Sequence, residues 1–385
     1  MKPVSIISFA SISPLGSTTQ KVWKSYLEQQ KHYTKVVVEN DVPTVVGALG
    51  EEDFEKLANL REEVSHYKNL DKTVLMALYA ARNAVKEAGW QKGDNFGINM
   101  GSSRGATELL ENYHKEFLNT GSTPTLTSPT TTLGNVATWI ANDLLSKGPA
   151  ISHSITCSTA LHALLNGIAW LQSGLTDKFL IGGSEAPLTA FTIAQMRALK
   201  IYSQFHTEEY PCRALDFSKK RDQMFLGEGA AVFCLEEGVK PNAMGIIKGI
   251  GYATEKLTHN ISISENANCF QESMKMALKE IDINTIDAIV MHAPGTIKGD
   301  TSEYNAIKSV FGSELPFLTC NKWKIGHSFG ASGGLSLELA LLMLQNQKCI
   351  DIPYLKKQNT PKEIKNILVN AVGFGGNAVS VLVSK

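Results

Sequence analysis

The chain has 385 residues, of which 43% are hydrophobic and 19% are charged, and its 37 basic residues balance its 37 acidic residues. This composition supports a sizeable core and excludes a globally disordered chain. Zero net charge provides no strong basic field for nucleic acid or acidic lipid, so we expect neither partner. No apolar run approaches the roughly 20 residues of a membrane helix, so we expect no membrane association.

Strand-like and helix-like segments alternate from one end of the chain to the other. Strands are predicted over residues 4–10, 96–101, 178–183, 229–236, 244–252, 286–292, 367–372 and 378–383. Helices are predicted over residues 18–29, 71–88, 133–145, 158–173, 268–280, 302–310 and 331–346. This alternation predicts a layered α/β fold.

Two of the predicted helices, 158–173 and 331–346, carry apolar side chains on almost every face. A helix that is apolar all round must be covered all round, so both are predicted to be central and buried. Each follows a loop with a chemically interesting residue, Cys157 in the first case and His327 in the second. The parallel suggests two similar halves whose buried helices begin at one shared site.

The cysteines show no Cys-x-x-Cys pair and no zinc spacing, so we expect no metal site, and scattered free thiols fit the cytoplasm. Cys157 differs from the rest because it ends a strand-like run and begins a helix. The positive end of a helix lowers a thiol pKa and favours the nucleophilic thiolate. The alternative is a small buried hydrophobic residue, which we keep for the others. These are Cys212, Cys234, Cys269, Cys320 and Cys349.

His292 and His327 both lie where strand-like or helical segments meet glycine-containing loops. His292 is either an active-site residue or a histidine that is hydrogen-bonded at a strand end. His327 precedes a run of small residues that permits close approach of a backbone or substrate. Lys322 and Lys324 are near in sequence, and for Lys324 we favour a solvated position.

A glycine-rich turn at residues 373–376 separates the last two predicted strands. It is either a flexible hairpin connection or a turn whose backbone N–H groups stabilise an oxyanion.

Taken together, the segments resemble the β-ketoacyl-acyl-carrier-protein synthases, the elongating ketosynthases of fatty acid and polyketide assembly. The resemblance runs nearly end to end, and the ordered set of motifs is far more specific than any one of them. The matching segments are ISPLG at 12–16, KGPAISHSITCSTALHAL at 147–164, IGGSEAPLT at 181–189, RALDFSKKRDQMFLGEGAAV at 213–232, HAPGTIKGDTSE at 292–303, NKWKIGHSFGASGG at 321–334 and NAVGFGGNAVSVLV at 370–383.

The resemblance implies the thiolase fold, an α/β fold of five layers, α-β-α-β-α, built from two pseudo-symmetric halves. The N-terminal half would span residues 1–240 and carry the nucleophilic cysteine. The C-terminal half would span residues 241–385 and carry the two histidines.

The resemblance also implies roles for individual residues. Cys157 would be the nucleophile, and His292 and His327 the catalytic histidine pair. Lys322 and Glu303 would give charged support near the second histidine. The backbone N–H groups of Cys157 and Phe374 would form the oxyanion hole. Thr296, Phe374 and Gly375 would contact the pantetheine arm of the substrate.

The implied reaction is a decarboxylative Claisen condensation of malonyl-carrier protein with an acyl group held on Cys157. It would serve fatty acid or specialised synthesis of the polyketide or aryl-polyene type. No cofactor would be bound directly, because the phosphopantetheine arm belongs to the acyl carrier protein. The expected assembly is a homodimer, or a heterodimer with a second ketosynthase-like chain. Alternatives are a coenzyme A-dependent thiolase-like acyltransferase and a non-catalytic subunit of the chain-length-factor type.

Some segments depart from the family pattern. Ala293-Pro294 follows the first histidine where most elongating members have Gly-Thr, and Asn377 stands in place of a family threonine. The Thr-rich stretch 125–132 replaces large apolar residues near the acyl pocket, which implies a partly polar or conjugated acyl group. An acidic carrier needs a local basic patch. Candidates for it are Arg197, Lys200, Lys219 and Lys220.

Overall fold

The structure is a computed structural model that describes residues 2–28, 35–39, 42–133, 135–205, 207–256 and 263–385. Within these ranges the strands are β1 (Val4–Ile12), β2 (Lys35–Glu39), β3 (Val42–Gly47), β4 (Gly97–Gly101), β5 (Ala150–His153), β6 (Lys178–Glu185), β7 (Leu226–Gly227), β8 (Gly229–Glu237), β9 (Gly245–Thr254), β10 (Ala288–Val290), β11 (Phe317–Thr319), β12 (Asn366–Gly373) and β13 (Asn377–Ser384). The α-helices are α1 (Thr19–Leu27), α2 (Glu51–Glu63), α3 (Lys72–Glu87), α4 (Thr107–Thr120), α5 (Thr127–Thr131), α6 (Asn135–Leu144), α7 (Thr159–Gln172), α8 (Ala190–Ala198), α9 (Asn268–Ala277), α10 (Ile297–Phe311), α11 (Lys322–Ile325) and α12 (Ser332–Asn346).

Two five-stranded mixed sheets form the framework. The first has the strand order β1-β8-β6-β4-β5, and the second has the order β11-β10-β12-β13-β9. Strand β1 is buried along its whole length, and β8, β12 and β13 are buried except for half-buried residues at one end, as their apolar sequences require. A small third sheet, β2-β3-β7, lies outside this pair.

The helices complete five layers. Helix α3 packs on β1 and β8 at one outer face, and α9 packs on β9 and β13 at the other. Helices α7 and α12 lie between the sheets, where α7 contacts β4 and β6 and α12 contacts β12 and β10. The predicted α-β-α-β-α thiolase fold is confirmed, including both central helices. The first sheet uses strands from residues 4–237 and the second from 245–384, while the division into halves at residue 240 stays a prediction.

The sequence pattern predicted most of the long elements but missed helices α2 and α4 as well as several shorter segments. All seven predicted helices are present, although the predicted helix 302–310 begins at Ile297, because Thr296 caps it through its hydroxyl group. The helix predicted over 133–145 is Asn135–Leu144, and residue 134 lies outside the described residues. Strands β2, β3, β5, β7 and β11 and helices α2, α4, α5, α8 and α11 were missed. In the described part of the chain, no helix combines the length and apolar character needed to cross a membrane.

Candidate active site

Cys157 lies at the start of the buried central helix α7. After β5 the chain makes a short 3-10 turn at Thr156–Ser158, and α7 begins directly behind it. Thr156 has a φ of 47°, a left-handed conformation that a β-branched residue rarely adopts. The Cys157 side chain is 6% exposed. The fold therefore holds the sulfur at a strained turn, as expected for a functional position.

Burial determines the resting state of the Cys157 thiol. Desolvation raises its pKa to about 12, and the carboxyl group of Glu185 acts in the same direction, while Arg104 and Lys322 oppose the shift. The expectation that the helix end gives this thiol a low pKa is wrong for the free enzyme. The thiol keeps its proton, so its attack on a thioester requires a base.

His292 follows β10 and is fixed through its backbone by a buried carboxylate. The N–H groups of His292 and Ala293 donate to the two oxygens of Glu303, each at 2.9 Å, and Asn370 donates to the same carboxylate at 3.2 Å. Ala293 has a φ of 24°, so the chain is strained here as well. Glu303 thus anchors the backbone at the first histidine, and its charge also acts on Lys322, so its expected support of the second histidine stays a prediction.

His327 is held by backbone pairing next to β7. Its N–H donates to the carbonyl oxygen of Phe225 at 2.8 Å, and its carbonyl oxygen accepts from Gly227 at 3.1 Å. The imidazole rings of His292 and His327 are perpendicular, with centroids 5.2 Å apart. Within the described residues, the Nδ1 atoms of both rings lack a hydrogen-bond partner.

The electrostatics of the pair favour neutral imidazoles. Desolvation and the positive charge of Lys322 lower the pKa of His327 to about 3. Desolvation, His327 and Lys322 also lower the pKa of His292 well below its ordinary value. Lys322 itself is buried, and its Nζ donates to Asn321 Oδ1 and Ser336 Oγ, both at 3.0 Å. Lys322 thus supports the histidines through its charge and not through a direct hydrogen bond.

These groups line one cavity of about 300 Å³. Cys157, His292 and His327 lie on its walls together with Thr296 and Phe374. The other lining residues are mainly apolar, and they are Met196, Leu199, Ile201, Asp222, Met224, Ile263, Pro294, Lys298, Gly299, Phe329, Val372 and Gly373. The structure therefore brings together three side chains that are 135 and 35 residues apart in the sequence. A buried thiol that shares a cavity with two neutral imidazoles suits acyl transfer.

The glycine turn after β12 packs directly against the nucleophile. A Cβ atom at Gly373 would overlap the Thr156 hydroxyl and would lie 3.2 Å from the backbone nitrogen of Cys157. Phe374 is 38% exposed and lines the cavity. Gly375 has a φ of 95° and serves the turn, but it is not among the residues that line the cavity. The turn thus forms part of the cavity, and the role of its backbone N–H groups as oxyanion donors stays a prediction.

Three further expectations need correction. Lys324 is 2% exposed, and its Nζ donates to the carbonyl oxygen of Glu28 at 2.9 Å, so it is not solvated. Lys219 forms a buried ion pair with Asp300 at 2.5 Å and is therefore not available to a carrier. The threonines of segment 125–132 do not line the cavity of their own chain, and four of them donate to nearby backbone carbonyls. These threonines therefore form no polar wall of this chain's own cavity, and the preference for a partly polar or conjugated acyl group stays a prediction.

One part of the cavity wall was not predictable from the sequence. Helix α8 was not predicted, yet its Met196 lines the cavity, together with Leu199 just after the helix. Glu185 was also missed. Its buried carboxylate accepts from the backbone N–H groups of Ser103, Arg104 and Gly330. Its segment IGGSEAPLT was singled out only for its resemblance to the family, which carried no indication of a partner.

Two observations concern other potential sites. Among the described residues, no cluster of His, Cys, Asp and Glu has the geometry to hold a metal ion. A larger cavity of about 540 Å³ lies between β3, α2 and the start of α3. Its lining residues include neither the cysteine nor the two histidines, so we place the chemistry in the smaller cavity.

Comparisons with known proteins agree with this geometry. The family model of the β-ketoacyl synthase N-terminal domain matches residues 1–240, and that of the C-terminal domain matches residues 244–353. A 3-oxoacyl-[acyl-carrier-protein] synthase 2 of Staphylococcus aureus (strain N315) is 28% identical over an alignment of 411 residues. The alignment covers 99% of this chain and 98% of that protein.

Solved structures show the same fold. The ishigamide ketosynthase/chain length factor has a TM-score of 0.87 at 19% identity, with 100% of this chain and 99% of that chain covered. The ketosynthase of the type II PKS complex AntDE:AntF, solved with its acyl-carrier protein and bound to the hexaketide, has a TM-score of 0.83 at 20% identity, with 100% and 99% covered.

Proposed function

The chain belongs to the β-ketoacyl synthase family and is a condensing acyltransferase that acts with an acyl carrier protein in fatty acid or polyketide synthesis; we propose that Cys157, His292 and His327 perform its chemistry. The observation that carries this assignment is their meeting in one cavity of about 300 Å³. Carbon–carbon bond formation needs a nucleophile to hold one substrate and neutral hydrogen-bond donors to stabilise an enolate from the other.

In the first half-reaction, the Cys157 sulfur attacks the carbonyl carbon of an acyl thioester. One neutral imidazole of the pair relays the thiol proton as the sulfur attacks, without resting as an imidazolium, because burial and Lys322 keep both rings neutral and the buried thiol does not ionise beforehand. The carbon–sulfur bond to the carrier then breaks, and the departing carrier sulfur takes the proton. The products are acyl-Cys157 and a free carrier thiol. The N–H groups of Cys157 and Phe374 stabilise the intermediate oxyanion.

In the second half-reaction, malonyl-carrier protein loses carbon dioxide. The negative charge that develops on its thioester oxygen is stabilised by hydrogen bonds from His292 and His327, which stay neutral because of burial and Lys322. The resulting carbanion attacks the acyl-Cys157 carbonyl carbon and forms the new carbon–carbon bond. Cys157 leaves as a thiolate and recovers a proton from solvent.

The cavity mouth fits a narrow thioester arm. Thr296 and Lys298 lie at the start of α10 and line the cavity, together with Asp222 and Pro294. Pro294 has no backbone N–H to donate, which leaves Thr296 as the hydroxyl donor on this side. These residues would contact the phosphopantetheine arm of a carrier.

A basic groove next to this mouth suits an acidic carrier protein. The exposed residues Lys200, Lys220 and Arg221 line the groove, which shares Asp222 with the catalytic cavity. Arg197 is less suited, because its guanidinium donates to Thr44 and lies over the ring of Tyr202. We therefore propose Lys200, Lys220 and Arg221 as the carrier-docking residues.

Strand β5 suits a dimer interface. It is an edge strand that pairs only with β4 in the first sheet, and its four residues are all half-buried. An unpaired edge next to the nucleophile can extend the sheet into a second subunit. We propose that this subunit is a second copy or a related ketosynthase-like chain.

The experiment that tests the proposed function is intact-protein mass spectrometry after incubation with acyl carriers or with the same acyl groups on coenzyme A. We expect one acyl adduct from the carriers, its loss in Cys157→Ala and its retention in the matched control Cys212→Ala, because Cys212 lies outside the cavity. Acylation of Cys157→Ala at the normal rate would exclude the assignment. Equal acylation by coenzyme A thioesters would favour the thiolase-like alternative.

A further inference from the structure

Arg104 lies directly behind the wall of the catalytic cavity. Its guanidinium carbon is 5.1 Å from the centroid of the Phe329 ring, and Phe329 lines the cavity. The other ring next to Phe329 is that of His327, at a centroid distance of 5.5 Å. Phe329 therefore separates the catalytic histidine from an arginine.

The same arginine is tied to the opposite wall. Its Nη1 donates to Gln195 Oε1 at 2.5 Å, and Gln195 precedes Met196, a lining residue of α8. The backbone is anchored as well, since the N–H groups of Arg104 and Gly330 both donate to Glu185, at 3.1 and 3.0 Å. Arg104 and Phe329 are thus held by one carboxylate in a fixed relation to the cavity.

The guanidinium has no acidic partner in the described part of the chain. The carboxylate nearest to its backbone, Glu185, is occupied by three backbone N–H groups and by the hydroxyl of Ser102. A half-buried guanidinium with no carboxylate partner among the described residues is able to take one from a ligand. Its charge also extends to the reactive sulfur, where it favours the thiolate.

We propose that Arg104 is a specificity-determining residue that selects acyl groups with a carboxylate at the end remote from the thioester. Such a group would pass Phe329 and pair with the planar guanidinium through charge-assisted hydrogen bonds. A methyl-ended chain of equal length would instead desolvate the cation further without compensation. The inference rests on the proposed function, because it requires Cys157 to carry the acyl group.

The test compares succinyl, glutaryl and adipyl carriers with butanoyl, pentanoyl and hexanoyl carriers in condensation with malonyl carrier. For the enzyme with Arg104 we expect kcat/KM to favour the carboxylate-ended member of at least one pair by roughly tenfold or more. Arg104→Met keeps an unbranched apolar stem but removes the guanidinium and its charge, and it should remove this preference. Both substrates are measured on each variant, so a general loss of folded enzyme does not change the ratio.

Gln195→Glu provides a matched second variant. It replaces the amide that Arg104 already contacts by a carboxylate, which forms an ion pair with the guanidinium. The preference for carboxylate-ended acyl groups should then disappear although Arg104 is still present. Arg61→Met, on α2, removes a guanidinium that donates only to the carbonyl oxygen of Leu70 and should leave the ratio unchanged.

The outcomes separate the two proposals. Equal or better use of methyl-ended chains by the unaltered enzyme overturns the role of Arg104 and leaves the condensing function intact. A preference that persists in both Arg104→Met and Gln195→Glu overturns it as well. Failure of every carrier to acylate Cys157 overturns the proposed function and, with it, this inference.

Discussion

The close approach of Gly373 to the nucleophile makes Gly373→Ala a severe test of the site geometry. A methyl group there would overlap Thr156 Oγ1 and come within 2.8 Å of the carbonyl oxygen of Ile155, both in the turn that holds Cys157. The carbonyl oxygen belongs to the backbone, so either β12 or the nucleophile turn must move. Both elements supply groups to the proposed oxyanion hole.

The expected magnitude follows from the size of that movement. A displacement on the order of 1 Å at a reacting centre costs roughly 10²-fold in rate. Overpacking of this kind costs about 1–3 kcal/mol in the free energy of unfolding. We therefore expect Gly373→Ala to slow acylation of Cys157 by about two orders of magnitude while the protein still folds.

The assay is the rate of acyl-Cys157 formation by intact-protein mass spectrometry, with thermal unfolding measured in parallel. Gly50→Ala is a matched control, because Gly50 has open space around it and no left-handed φ. Adding Thr156→Gly to Gly373→Ala removes the overlap with the hydroxyl and should recover part of the rate. Normal acylation by Gly373→Ala would refute the close packing of turn and nucleophile.

Four further predictions concern the histidines, their carboxylate and the assembly. His292→Ala and His327→Ala should each cost roughly 10²-fold or more in carbon dioxide release from malonyl carrier, with a smaller effect on acylation; unchanged decarboxylation in both would contradict their role. Glu303→Gln should also slow decarboxylation, because the amide nitrogen cannot accept from one of the two N–H groups of His292 and Ala293. The unpaired buried N–H should cost about 1–3 kcal/mol in the free energy of unfolding. A variant with normal rate and stability would speak against this anchor. The decarboxylation rate should show no histidine titration near the ordinary pKa of about 6.5, because the pKa of His327 is lowered to about 3. Because of the same shift, the contribution of His327 to the free energy of unfolding is complete above about pH 6.5 and is lost as the pH falls toward 3. Denaturation measured at several pH values will show this loss. Light scattering should give a dimer, and a stable, active species at the chain mass of 41.9 kDa would exclude the β5 interface.

The sequence alone determined the fold class and the three central catalytic candidates. The all-round apolar patterns of α7 and α12 required burial between layers, since a helix with no polar face has no place at a surface. Cys157, His292 and His327 were identifiable because each stands at a junction between an element and a loop within a recognisable motif. The order of the motifs along the chain indicated the family before any contact was known.

Tertiary structure decided what no local pattern encodes. Glu303 anchors the backbone of His292, because β10, α10 and β12 meet at that carboxylate. The pKa of Cys157 is high because desolvation outweighs the helix end, and desolvation depends on packing across the whole site. Lys219 and Lys324 have ordinary surface-like sequence contexts, yet one is paired with Asp300 and the other is buried. Burial, pairing and proximity arise from contacts between residues far apart in sequence, and periodicity along the chain carries no information about them.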